Sequence, residues 1–112
     1  MTLRQRQSLF ARLLSDLIKE AFARGYDVTM GECWRSPHEA ARLSKTGKGI
    51  KKSLHCDRLA VDLNLFKDGT FRTKSEQYAE MGEYWESLHP DCRWGGRFSD
   101  GNHFAITYQG RS

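Results

Sequence analysis

Two segments of the sequence alternate between apolar and polar residues, and this alternation constrains both the fold and the chemistry. In residues 59–66 the aliphatic side chains share one face of a predicted β-strand, which directs Asp62 to the opposite face. In residues 102–108 the apolar face likewise leaves His103 on the other side. The sequence therefore predicts a sheet that packs one face on a core and presents metal-binding side chains on the other.

The order of helical and strand patterns predicts an α+β fold, a single small domain over residues 1–112 with a mostly antiparallel sheet. Three helices are predicted, at residues 4–24, 36–43 and 75–88. Two further strands are predicted at residues 26–34 and 93–97, and a loop at residues 46–52. The first helix is basic and amphipathic, and packing on the core is favoured over a membrane surface.

Composition narrows the choice of partners without selecting one. A net charge of +4 and a pI near 9.1 favour anionic partners, which include nucleic acid, membrane surfaces and cell-wall polymer. A nucleic-acid binder would be supported by charge alone, because no recognition motif is present. We therefore expect no nucleic-acid partner, no stable membrane insertion and a monomer. No secretory signal is recognisable, and three cysteines without Cys-x-x-Cys spacing predict free thiols.

Four residues together have the chemistry of a catalytic zinc site. His55 lies just upstream of the first strand and could reach Asp62 and His103, while Asp100 precedes His103 by three residues. Two imidazoles and one carboxylate can hold zinc with one position open for water, and a further carboxylate can serve as acid or base. A lone aspartate or histidine is ordinarily a surface residue. The combination of His-x6-Asp with Asp-x-x-His is much less common.

These motifs resemble the family of zinc D-alanyl-D-alanine carboxypeptidases and L-alanyl-D-glutamate endopeptidases, and in particular its small bacteriophage endolysins. The resemblance continues in Trp34-Arg35-Ser36-Pro37, which is similar to an Arg-Ser/Thr segment of the family, and in Trp94-Gly-Gly-Arg-Phe before the last motif. It implies that His55, Asp62 and His103 are zinc ligands. Two positions depart from the family pattern: Arg58 stands where glycine is frequent, and Ala40 stands where glutamine is usual.

The resemblance also implies roles for the remaining site residues. Asp100 would be the general base, and Arg35 would hold or polarise the substrate, although a surface salt bridge is an equally good interpretation of this arginine. Ser53 and Trp94 would lie in the substrate cleft.

The implied activity is zinc-dependent hydrolysis of the peptidoglycan stem peptide. We expect an L-alanyl-D-glutamate endopeptidase of phage-induced lysis, made in the host cytoplasm and acting on the cell wall, in the periplasm, after release. The alternatives are a D-alanyl-D-alanine carboxypeptidase or dipeptidase, and a non-catalytic zinc or cell-wall binding module. Asp100 argues against the last, because binding alone does not require it.

Overall fold

The computed structural model describes residues 1–47 and 53–112. Residues 48–52 of the predicted loop at 46–52, which include its three lysines, lie outside the described residues. Within the described ranges, no helix is both long and apolar enough to cross a membrane.

Three α-helices occur in the described residues, as the sequence predicts. They are α1 at Leu3–Ala23, α2 at Pro37–Lys45 and α3 at Ala79–Leu88. Gly25 follows α1 with a φ of 89°, a left-handed conformation that glycine adopts without steric cost and that ends the helix. Ser36 caps α2 by accepting a hydrogen bond from the backbone N–H of Glu39, at 3.0 Å.

Among the residues that the structure describes, five strands form one sheet in which each observed pairing is antiparallel, which confirms the predicted α+β class. The strands are β1 at Asp27–Met30, β2 at Ala60–Lys67, β3 at Thr70–Phe71, β4 at Cys92–Trp94 and β5 at His103–Ile106. Their order across the sheet is β1-β2-β5-β4, and the short β3 pairs with β2.

The core lies between one face of this sheet and the helices α1 and α3. Trp85 of α3 is fully buried and makes edge-to-face contacts with Phe10 of α1 and Phe104 of β5, at centroid distances of 5.8 and 6.1 Å. Its indole N–H donates to the carbonyl of Ala105 at 3.0 Å. The apolar face of β2 is buried in the same cluster, so the opposite face is the one that carries Asp62.

Several predicted bounds were too long because short 3-10 helices replace the ends of predicted elements. The strand predicted at 93–97 ends at Trp94 and continues as a 3-10 helix over Gly95–Phe98. The helix predicted from residue 75 begins as a 3-10 turn over Ser75–Tyr78. The segment of His55, just upstream of the predicted strand at 59–66, is also a 3-10 helix, at Leu54–Asp57.

Candidate metal centre

The centre of the site is a cross-strand pair on the sheet face opposite the core. Strands β2 and β5 pair so that Asp62 lies directly opposite His103. Directly opposed residues in an antiparallel pair have their Cβ atoms about 5 Å apart on the same face. The register of two strands therefore brings together side chains separated by forty residues of sequence.

His55 joins this pair from the 3-10 helix that precedes β2. The hydroxyl of Ser53 caps that helix and accepts a hydrogen bond from the backbone N–H of His55, at 3.1 Å. Arg58 ends it in the left-handed conformation, with a φ of 56°. The turn is thus fixed at both ends, and the His55 side chain is buried against the sheet.

The three side chains converge closely enough to share one ion. One potential ligand atom from each of His55, Asp62 and His103 lies within 4.8 Å of the others. Oδ1 of Asp62 is 3.4 Å from Nε2 of His55 and 3.6 Å from Nδ1 of His103. These nitrogens are therefore the ligand atoms that the geometry offers, together with the carboxylate oxygen.

The polar atoms of the cluster fit a divalent cation. Oδ1 of Asp62 is buried and has no hydrogen-bond donor among the described residues, a costly state for a carboxylate unless a cation compensates it. Burial opposes ionisation of this carboxyl, but the two histidines outweigh burial and lower its pKa to about 2. Two imidazole nitrogens and one ionised carboxylate form a donor set that suits zinc.

Asp100 is held beside the cluster by a tightly folded turn. Its backbone N–H donates to the carbonyl of Gly95 at 2.9 Å, and its own carbonyl accepts from the N–H of His103 at 3.1 Å. A Cβ on Gly95 would overlap the carbonyl of Asp100 and the side chain of His103, so the chain needs glycine there. The turn continues into Gly101, whose N–H donates to the hydroxyl of Ser75 at 3.0 Å.

Asp100 differs from Asp62 in its surroundings and in its protonation chemistry. Its side chain is 59% exposed, and Oδ2 lies 3.9 Å from Nδ1 of His103. Partial desolvation raises the pKa of Asp100; His103 opposes this shift and the Asp62 carboxylate adds to it. A carboxylate at the edge of the cluster with a raised pKa is suited to accept and return a proton.

Arg35 lies on a segment that runs alongside the ligands, and its partner is a residue that the sequence analysis missed. The Arg35 N–H donates to the carbonyl of His55 at 3.2 Å, while its side-chain Nε donates to Oε1 of Glu32 at 2.7 Å. The same Glu32 oxygen is 3.9 Å from Nδ1 of His55. The Glu-x-x-Arg spacing was the only sequence signal for this contact.

Ser53 and Trp94 are buried, and their observed contacts are with the protein itself. The Ser53 hydroxyl caps the helix of His55. The Trp94 indole is covered by Gly82 and Gly96, and its N–H donates to the carbonyl of Gly101 at 2.7 Å. Trp94 therefore supports the turn that carries Asp100, and contact of either residue with a substrate stays a prediction.

Comparisons with known proteins identify a family and a shared fold. Residues 46–106 match the family model described as D-alanyl-D-alanine carboxypeptidase, a range that contains His55, Asp62, Asp100 and His103. A crystal structure of the Serratia marcescens L-Ala D-Glu endopeptidase ChiX has the same fold, with a TM-score of 0.67 and 22% identity over 83% of this chain and 77% of that chain. Among the curated proteins compared, none matches significantly.

Proposed function

The chain belongs to the D-alanyl-D-alanine carboxypeptidase family, and from this premise we propose that it is a zinc-dependent peptidase of the bacterial peptidoglycan stem peptide. The observation that carries the proposal is the convergence of His55, Asp62 and His103 around one point, with Asp100 at its edge. A site that only bound metal would not need a fourth residue with an exposed carboxylate and a raised pKa. Hydrolysis requires a group of this kind.

In the proposed mechanism, different residues bind the metal and transfer the proton. His55, Asp62 and His103 would hold zinc, which when bound polarises a carbonyl and lowers the pKa of water from 15.7 to about 7. Asp100 would accept the proton of the attacking water and deliver it to the nitrogen of the leaving amine. Its exposure leaves it accessible to both water and substrate.

Arg35 would stabilise the negative charge that develops on the substrate. Its guanidinium is permanently charged and has five N–H donors, of which the contact with Glu32 involves Nε and Nη2. Its side chain is only 12% exposed, which strengthens its electrostatic effect compared with a surface arginine. The positive charge of Arg35 also acts on Asp100, where it favours the ionised form.

A cavity beside Asp100 supports a substrate that carries its own negative charge. The cavity has a volume of about 240 Å³ and is lined by residues 71–75, Tyr78 and residues 99–102. Arg72 and Lys74 are among the lining residues, so the rim contains positive charge next to the proposed base. A D-glutamyl residue has a free carboxylate, which this positive charge would complement.

A D-alanyl-D-alanine carboxypeptidase is the second candidate, favoured by the description of the matching family model. We prefer the endopeptidase because of the resemblance to phage endolysins, which also supports a role in host lysis at the cell wall. Both reactions use the same ligands and base, and they differ in the bond that is presented to them.

Mass analysis of digested peptidoglycan distinguishes the two candidates. We expect purified sacculi, treated with zinc-loaded protein, to release stem peptides with a new D-glutamate amino terminus and to keep L-alanine on the glycan. Release of free D-alanine alone would establish the carboxypeptidase instead. The Asp100→Asn protein is the matched control, because it should retain the fold and release neither product.

A further inference from the structure

The segment from Gly31 to Arg35 is tied by its backbone to two of the three ligand residues. The N–H of Gly31 donates to the carbonyl of Asp62 at 2.7 Å, and the N–H of Asp62 donates to the carbonyl of Glu32 at 2.8 Å. A Cβ on Gly31 would lie 2.9 Å from the Asp62 carbonyl oxygen, so glycine permits this close approach. Together with the bond from the Arg35 N–H to the His55 carbonyl, these contacts fix the backbone of Glu32 next to the cluster.

His55 has one ring nitrogen directed at the ligand cluster and one directed away from it. Nε2 lies 3.4 Å from Asp62, whereas Nδ1 is buried and makes no hydrogen bond among the described residues. A neutral imidazole has one N–H and one lone pair, so coordination through Nε2 requires the proton to be on Nδ1. A buried N–H of this kind needs an acceptor.

Glu32 is the carboxylate that faces this nitrogen. Its Oε1 is 3.9 Å from Nδ1 of His55, beyond hydrogen-bond range, while it already accepts from Nε of Arg35 at 2.7 Å. The Glu32 side chain is 33% exposed and has three rotatable torsions, so a small rotation brings the carboxylate into range. Arg35 holds the carboxylate nearby through contacts with Oε1, and the carboxylate retains lone pairs that can accept a further hydrogen bond.

We propose that Glu32 is a positioning residue that links Arg35 to the metal site. In the metal-loaded protein it accepts the Nδ1–H of His55, which fixes the tautomer that directs Nε2 to the metal, and it orients the Arg35 guanidinium through the same carboxylate. The inference rests on the proposed function, because it assumes that His55 is a ligand. The new element is that one carboxylate, that of Glu32, positions both the proposed metal ligand His55 and the proposed substrate-binding Arg35.

Zinc affinity measured by competition with a chelator tests the link. Glu32→Ala should weaken zinc binding about 10- to 100-fold, the range for loss of a carboxylate that orients a ligating histidine. Glu32→Gln should recover part of the affinity, because the amide oxygen still accepts a hydrogen bond. Glu20→Ala is the matched control, because Glu20 has the same exposure as Glu32 and the same 2.7 Å contact with an arginine Nε but lies on α1. The Glu20→Ala protein should bind zinc with wild-type affinity.

Long-range ¹H–¹⁵N spectra of the histidine rings provide a readout that a merely structural role would not change. In zinc-loaded wild-type protein, the His55 signals should show a protonated, slowly exchanging Nδ1, and Glu32→Ala should accelerate that exchange. Wild-type affinity and unchanged ring signals in Glu32→Ala would overturn this inference while leaving the proposed function intact. A wild-type protein that binds no zinc would overturn both.

Discussion

Two aspartates of the same site, one on strand β2 and one on the turn after Ser99, are in opposite electrostatic situations. Asp62 is 23% exposed, faces two imidazoles and has a pKa lowered to about 2. Asp100 is 59% exposed and has a raised pKa. Environments that separate the pKa values of two carboxyl groups also separate their roles. A permanently ionised carboxylate suits metal coordination, and one that is easier to protonate suits proton transfer.

The difference follows from how each region is built. Strand β2 is paired on both sides, so the position of Asp62 is set by the hydrogen-bond ladder of the sheet. Asp100 is set by a glycine-rich turn that packs on Ser75 and is supported by Trp94. The sheet thus provides rigidity for the metal, and the turn provides access to solvent for the proton.

The largest effect on zinc binding and activity should come from replacing Asp62, the aspartate on strand β2. Asp62→Asn removes the charge that the two imidazoles face, so zinc affinity should fall strongly and hydrolysis of sacculi should become undetectable at equimolar zinc. His55→Ala should behave in the same way. Chelator competition measures the affinity, and excess zinc should restore part of the activity of Asp62→Asn. An Asp62→Asn protein with normal zinc affinity would remove Asp62 from the ligand set.

Replacing Asp100, the aspartate on the turn, should lower the turnover rate without loss of the bound metal. Asp100→Asn keeps the size and hydrogen-bonding shape of the side chain but cannot take a proton at neutral pH. Turnover with saturating zinc should fall roughly 10²–10⁴-fold, the range for a general acid–base group. Steady-state hydrolysis of a synthetic stem peptide measures it. If turnover were unchanged, the base would lie elsewhere in the site.

The two aspartates should also respond to pH with opposite signs. The pKa of Asp62 is below its ordinary 3.8 in the folded protein, so ionised Asp62 stabilises the zinc-free fold above pH 4. About 2 kcal/mol of that stability should be lost as pH falls towards 2. Asp100 has a raised pKa, so its ionised form destabilises the fold at neutral pH and protonation relieves this.

Denaturant unfolding of the zinc-free protein at pH 5 and at pH 2 tests these signs. Relative to wild type, Asp62→Asn should reduce the loss of stability on acidification, whereas Asp100→Asn should increase slightly in stability at pH 5. Thr107→Ala, a change just after β5 and outside the cluster, is a suitable control. Identical pH dependence in the wild-type and Asp62→Asn proteins would contradict the assigned environment of Asp62.

The smallest effect concerns the turn that carries His55. Arg58 has a left-handed backbone at the end of the 3-10 helix, which explains why glycine is frequent at this position in the family that the sequence resembles. Arg58→Gly should change the free energy of unfolding by no more than about 1 kcal/mol, because relief of strain is offset by loss of the contact with the Trp34 ring. Zinc affinity should stay at the wild-type level.

The sequence predicted the parts of the site that depend on local periodicity. Alternation in β2 and β5 assigned Asp62 and His103 to the face opposite the core, and the helices and the antiparallel class followed from similar patterns. The register that pairs these two residues could not be predicted, because pairing between distant strands is decided by packing of the whole sheet. The 3-10 helix of His55 was missed because four residues are too few to show a period.

Glu32 was missed for a different reason. It lies in a segment that the sequence predicts as strand, where a glutamate is ordinarily a solvent-facing residue. Strand β1 ends at Met30, and the next two residues bond to the backbone of Asp62 outside the regular strand pairing. Its proximity to His55 is a tertiary contact between residues more than twenty positions apart.

Zinc stoichiometry of the two aspartate variants, measured with hydrolysis of sacculi on the same preparations, tests the central claim most directly. The account predicts one zinc per chain and almost no hydrolysis for Asp100→Asn, and loss of both zinc and hydrolysis for Asp62→Asn under the same conditions. An Asp100→Asn protein that has lost its zinc would make Asp100 a ligand and contradict the separation of metal binding from proton transfer.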